Sequence, residues 1–85
     1  MLTYFQSSIR FHRAATMPEQ EVRAPIPRHG CTIERIGYVL KDEGKYLEYT
    51  MLISTRNPAG ADRLSETLTK TNAVTGFRIS PPGEL

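Results

Sequence analysis

Two β-prone runs, CTIERIGYVLK (31–41) and KYLEYTMLIST (45–55), are separated only by Asp42-Glu43-Gly44. An acidic pair followed by Gly between such runs is a hairpin signal, because Gly accepts the left-handed backbone of a tight turn. In the second run Leu47, Tyr49, Met51 and Ile53 alternate with Tyr46, Glu48, Thr50 and Leu52. The first set is a continuous apolar face and the second is mixed. One face therefore belongs on a core and the other lies nearer water or a partner. Gly37 is expected to mark a bulge or a close approach in the first run.

A two-stranded hairpin is marginal alone, so the rest of the chain must cover its apolar face. Residues 2–12 read as a strand with Phe5, Ile9 and Phe11 on one face, interrupted by Ser7. Residues 57–72 read as a helix. Asn57 is a favoured cap, Pro58 a favoured first residue, and Ala61, Leu64 and Leu68 form a narrow apolar stripe. A last strand runs from Val74 to Ile79, with Phe77 and Ile79 on one face. Pro81 and Pro82 follow it; lacking N–H groups, they end strand pairing and guard the sheet edge.

The segment AATMPEQEVRAPIPRHG, 14–30, leaves two readings open. Thr16 could cap a helix with Pro18 in its first turn and Gly30 as its stop. Pro25 and Pro27 make that helix either short, with an irregular continuation, or kinked, since an interior proline costs about 3 kcal/mol.

The order is strand, helix, strand, strand, helix, strand. That order predicts an α+β fold of the ferredoxin-like βαββαβ type: a four-stranded antiparallel sheet with helices on one face. A single domain over residues 2–80 and a short tail, 81–85, account for the chain. With 85 residues the core is modest, so self-association matters for stability.

Charge and composition narrow the function. Eleven Lys and Arg against nine Asp and Glu give a net charge of +2, interspersed rather than clustered, which argues against nucleic acid. An RNA platform would need stacked aromatics on the sheet, and although Tyr38, Tyr46 and Tyr49 fall on strands, no RNP pattern surrounds them. The single cysteine, Cys31, excludes an internal disulfide and leans towards a reducing compartment. No apolar run approaches the roughly 20 residues of a membrane span. Arg10, His12 and Arg13 give the first residues a faint transit-peptide character, but 2–12 reads better as a strand.

The segment VTGFRISPPGE resembles the carboxy-terminal signature of the MgtC/SapB-type bacterial inner-membrane proteins, through Val74, Phe77, Arg78, Ile79, Ser80, Pro81, Gly83 and Glu84. GCTIERIGYVL with KYLEYTMLIST resembles the middle hairpin of their soluble domain, and ADRLSETLTK its second helix. The resemblance covers residues 30–84 well and 2–29 loosely. It implies an ACT-like domain that lies behind membrane helices, on the cytoplasmic side of the inner membrane, in proteins associated with magnesium limitation and virulence. These motifs are packing and turn motifs, so the implied role is regulatory and non-enzymatic.

Candidate chemistry is sparse. His29 and Cys31 could pair as base and nucleophile or join a zinc site with His12, but no third orienting group or repeated ligand spacing accompanies them. Asp42 and Glu43 are weak magnesium candidates. No cofactor is expected. The alternative function is a small-ligand sensor for an amino acid or Mg²⁺; the resemblance to ACT domains implies a ligand site at a glycine-containing turn after the first strand, and the turn here, 13–18, has no glycine. The mixed sheet face, taken to carry Tyr38, Tyr46 and Leu52, is the expected interface. The expected partner is a second copy or a membrane protein.

Overall fold

The computed structural model describes residues 1–83; the end of the expected tail, 84–85, lies outside the described residues. Four strands form one sheet: β1 (Thr3–His12), β2 (Cys31–Lys41), β3 (Tyr46–Thr55) and β4 (Val74–Ser80). Their spatial order is β2-β3-β1-β4, with every neighbouring pair antiparallel. This is the ferredoxin-like arrangement of two interleaved βαβ halves that the element order predicts. The long central pairing runs from Thr3 opposite Thr55 to His12 opposite Tyr46.

Alternation sets the two faces. Ile9 and Phe11 of β1 and Tyr49, Met51 and Ile53 of β3 are buried on the side that carries the helices. Tyr4, Gln6, Ser8, Arg10 and His12 occupy the opposite, open side. Ser7 lies on the helix side, opposite Met51 and Ile79, and its buried hydroxyl has no hydrogen-bond partner among the described residues.

The helical layer comes from α1 (Glu19–Arg23), α2 (Pro25–Arg28) and α3 (Ala59–Thr69). The first two settle the proline question: the chain continues through Ala24 at φ −56°, ψ −41°, so the segment is helical but broken. Pro25 and Pro27 donate no i→i−4 bonds, so the ladder is interrupted without the turn being lost. Val22 and Ile26, one turn apart, both reach the core. Thr16 does not cap this helix; it closes a short 3₁₀ turn, Arg13–Ala15, and α1 starts after Pro18 with no side-chain cap. Gly30, at φ 74°, terminates α2 in the left-handed conformation that favours glycine.

α3 starts one residue later than the sequence suggests, with Pro58 at its N-cap, and the Asn57 Oδ1 accepts from the first helical N–H, that of Ala59, at 3.1 Å. Leu64 and Leu68 point into the core, where each buried side chain contributes about 1.5–3 kcal/mol. α3 can approach β2 closely because residue 60 is glycine. A Cβ there would collide with the His29 carbonyl oxygen and sit 3.3 Å from the Cys31 Sγ.

Candidate interaction surface

β2 is an edge strand, and its geometry decides which side chains are available. Its pairing with β3 slips by one residue between Ile33 and Arg35, so the bulge is at Glu34 and not at Gly37. An extra residue inverts the alternation beyond it. Ile36, Tyr38 and Leu40 therefore oppose Met51, Tyr49 and Leu47 on the helix side, while Gly37, Val39 and Lys41 face the open side. This corrects the expected grouping: Tyr46 and Leu52 are on the open face, and Tyr38 is on the other. Tyr38 leans against Tyr49 with ring centroids 5.9 Å apart, and Tyr49 meets Phe11 edge-to-face at 6.0 Å.

The hairpin reaches past the helical layer at this end. Tyr38, Val39 and Leu40 are 68%, 44% and 47% exposed, three consecutive apolar or aromatic residues on a free sheet edge. Val39 and Leu40 are absent from the sequence-derived interface. The run Tyr-Val-Leu, where a half-buried strand would alternate, is the signal that could have found them.

The turn that closes the hairpin holds Asp42, Glu43 and Gly44 at φ 54°, 57° and 88°. The Gly44 N–H bonds back to the Lys41 carbonyl at 3.2 Å. The Asp42 Oδ2 is 3.4 Å from the Arg10 Nη1, so a metal at this turn would compete with that ion pair. Among the described residues no three His, Cys, Asp or Glu side chains converge as a metal site.

Behind the turn, the open face carries a charged cluster around Glu48. Its Oε2 receives the Arg10 Nε and Nη2, each at 3.2 Å, and its Oε1 lies 3.1 Å from the Lys41 Nζ. The Glu48 side chain is only 11% exposed, so these bonds compensate its removal from water. Arg10 also stacks over the Tyr46 ring, 5.1 Å from its centroid, and His12 meets that ring at 5.8 Å. Tyr46 is thus covered by its own chain. Leu52 is half-buried between Arg35 and Gln6. Tyr38, Tyr46 and Tyr49 do not share a face and cannot form one stacking platform.

His29 and Cys31 do not assemble a nucleophile and base. The His29 Nε2 is 2.7 Å from the Thr67 Oγ1, which ties α2 to α3. The buried Cys31 thiol points to the His29 backbone carbonyl at 3.8 Å. In the turn after β1, the His12 Nδ1 accepts from the Ala14 N–H at 3.1 Å, and the Arg13 N–H bonds to the Lys45 carbonyl at 2.9 Å. That segment braces the hairpin.

The fold and surface together define a ferredoxin-like α+β domain with an exposed hairpin edge. Its fold is that of the C-terminal domain of the MgtC protein from Mycobacterium tuberculosis. That solution structure matches with a TM-score of 0.70 at 20% identity, over 94% of this chain and 87% of that one. No protein-family model and no curated protein sequence matches the chain. Among the described residues, no helix is long and apolar enough to cross a membrane.

Proposed function

We propose that the chain is a non-enzymatic regulatory domain that acts by protein–protein contact, in the manner the MgtC/SapB resemblance implies. The observation that supports this reading is the exposed Tyr38-Val39-Leu40 edge. A free edge offers unpaired N–H and C=O groups, and natural sheets usually blunt such edges with charge, bulges or proline. Here the bulge and the charged residues Glu34 and Arg35 sit in one half of β2, and the apolar run occupies the other. His12, His29 and Cys31 each make a hydrogen bond within the fold. The link to magnesium limitation would then run through a partner at the cytoplasmic face of the membrane, and not through an ion held at Asp42 and Glu43.

Titrating the ¹⁵N-labelled chain with Mg²⁺ and with a mixture of amino acids tests this reading. Amide shifts are expected to stay put, apart from weak changes that do not saturate. Localised, saturable shifts at Asp42–Gly44 or Arg13–Pro18 would overturn it in favour of a sensor.

A further inference from the structure

We infer that the outer edge of β4 takes up an extended segment of a partner protein as a further strand, with an acidic residue between two apolar ones as the core of that segment. The inference rests on the interaction-domain reading and names the partner's chemistry. β4 closes the sheet on the side away from β2, and its outer edge is unpaired among the described residues. Alternate residues of such an edge present N–H and C=O groups to an incoming strand. Two features bound it. The pairing with β1 jumps from Arg10–Gly76 to Phe11–Val74, so Thr75 is an extra residue and bulges. Pro81 and Pro82 end the strand at the other side. Gly76 to Ser80 remain between them.

The side chains of this edge fall on two sides. Phe77 and Ile79 lie opposite Ile9 and Ser7, on the helix side. With Phe5 they floor a groove of 440 Å³ between β4 and α3, and Ala61 and Ser65 form its wall. Ala61 offers only a methyl group, so the wall stands back and leaves room for apolar side chains beside Phe77 and Ile79. Arg78 lies opposite Ser8, on the open side. It is exposed and makes no ion pair among the described residues. Gly76 leaves space next to it, in a cavity of 250 Å³ that Ser8 and Thr75 also line. Glu48 reaches that cavity too, but Arg10 and Lys41 already hold its carboxylate. An acidic side chain opposite Arg78 therefore gains a cross-strand partner, and its two neighbours in the added strand face the groove. The pattern is the same for either strand direction.

A second copy fits this edge poorly. Residues opposite one another in an antiparallel pair must point to the same face, so a two-fold axis passes through a residue. An axis through Arg78 sets two arginines against each other. An axis through Phe77 pairs Ile79 with the bulged Thr75, and one through Ile79 pairs Phe77 with Pro81, which has no N–H to donate.

A display library of random heptapeptides, selected on the whole chain, should enrich an acid between two apolar residues. An enriched peptide, made synthetically, should shift the amides of Gly76–Ser80 saturably in the ¹⁵N-labelled chain, together with Ala61 and Ser65 across the groove. Arg78→Glu should weaken binding by about tenfold, because an attractive cross-strand pair becomes repulsive. Replacing the peptide's acid by lysine should then recover most of that loss. Arg78 is on the surface, and unchanged amide shifts outside β4 confirm folding of the variant. A selection without that pattern would overturn the inference, as would shifts confined to Tyr38–Leu40, or a charge swap that restores nothing. Shifts at Gly76–Ser80 that grow with protein concentration alone would also overturn it, by giving the edge to a second copy. Any of these, in a chain that ignores Mg²⁺ and amino acids, leaves the interaction-domain reading intact. Saturable shifts at Asp42–Gly44 or Arg13–Pro18 with those ligands would remove that reading itself.

Discussion

Arg10 and Glu48 face each other across β1 and β3, and the guanidinium holds one carboxylate oxygen through two nitrogens at 3.2 Å each. Lys41 holds the other oxygen. Replacing Glu48 by Gln keeps the shape, leaves Lys41 without its anion and leaves Arg10 with only the exposed Asp42 carboxylate. Arg10 and Lys41 are partly solvated, so the expected loss is about 1–2 kcal/mol, less than for a fully buried pair. Denaturant unfolding at low and at about 1 M salt checks it: shielding from water predicts that much of the loss survives high salt.

The contact between Gly60 and the His29 carbonyl gives a second prediction. Alanine is the better helix former by about 1 kcal/mol, and in an open helix Gly60→Ala would stabilise. Here the new methyl meets a backbone oxygen that cannot swing away. Overpacking wins, and a net loss on the order of 2 kcal/mol is expected from the shift in denaturation midpoint. A more stable variant would show that α3 slides away from β2 at little cost.

Ser7 carries the opposite sign. Its hydroxyl is fully buried without a partner among the described residues, and such a group costs about 1–3 kcal/mol to desolvate. Ser7→Ala removes it and leaves a space of about one atom. A gain of about 1 kcal/mol is expected, visible as a rise of several degrees in Tm. A fall would mean that the hydroxyl is hydrogen-bonded in solution.

Tyr49 provides a pH dependence. Burial pushes its phenol above the usual tyrosine range, and the negative charges of Glu19 and of ionised Tyr38 add to the effect. The unfolded chain releases this proton from about pH 10, before the folded chain does. The contribution is fully present below that pH and is lost as pH rises through the raised folded value. Tyr49→Phe should therefore show a shallower alkaline decline in stability than the parent, measured by urea unfolding between about pH 9 and 11. Equal slopes would show that Tyr49 ionises freely in the fold.

The fold was legible because its signals are local and redundant. The turn acids, the alternation in β3 and the Asn57-Pro58 pair each specify an element without help from distant residues. The candidate surface was legible only in part, because a bulge is a property of pairing and not of propensity. Glu34 has no feature that marks an extra residue; its role follows from how β2 meets β3 and from the Ser54 hydroxyl, which donates to its carboxylate at 2.6 Å. Counting by twos from Cys31 puts Tyr38 on the open face, and the structure puts it on the other. The charged cluster was missed for a similar reason. Arg10 lies far in sequence from Lys41 and Glu48, and the three meet only because β1 and β2 both flank β3.

The strand order also sets a timetable. β1 lies inside the sheet, yet its two neighbours are β3 and β4, the last strands of the domain to be synthesised. While the chain is being made, only β2 and β3 can find each other early, through their short turn. The first strand has no partner until β3 is complete at residue 55, and its other edge stays open until synthesis has passed residue 80. Nascent chains of this topology should depend on whatever shelters that strand, and their folding should be limited by the closing of long loops.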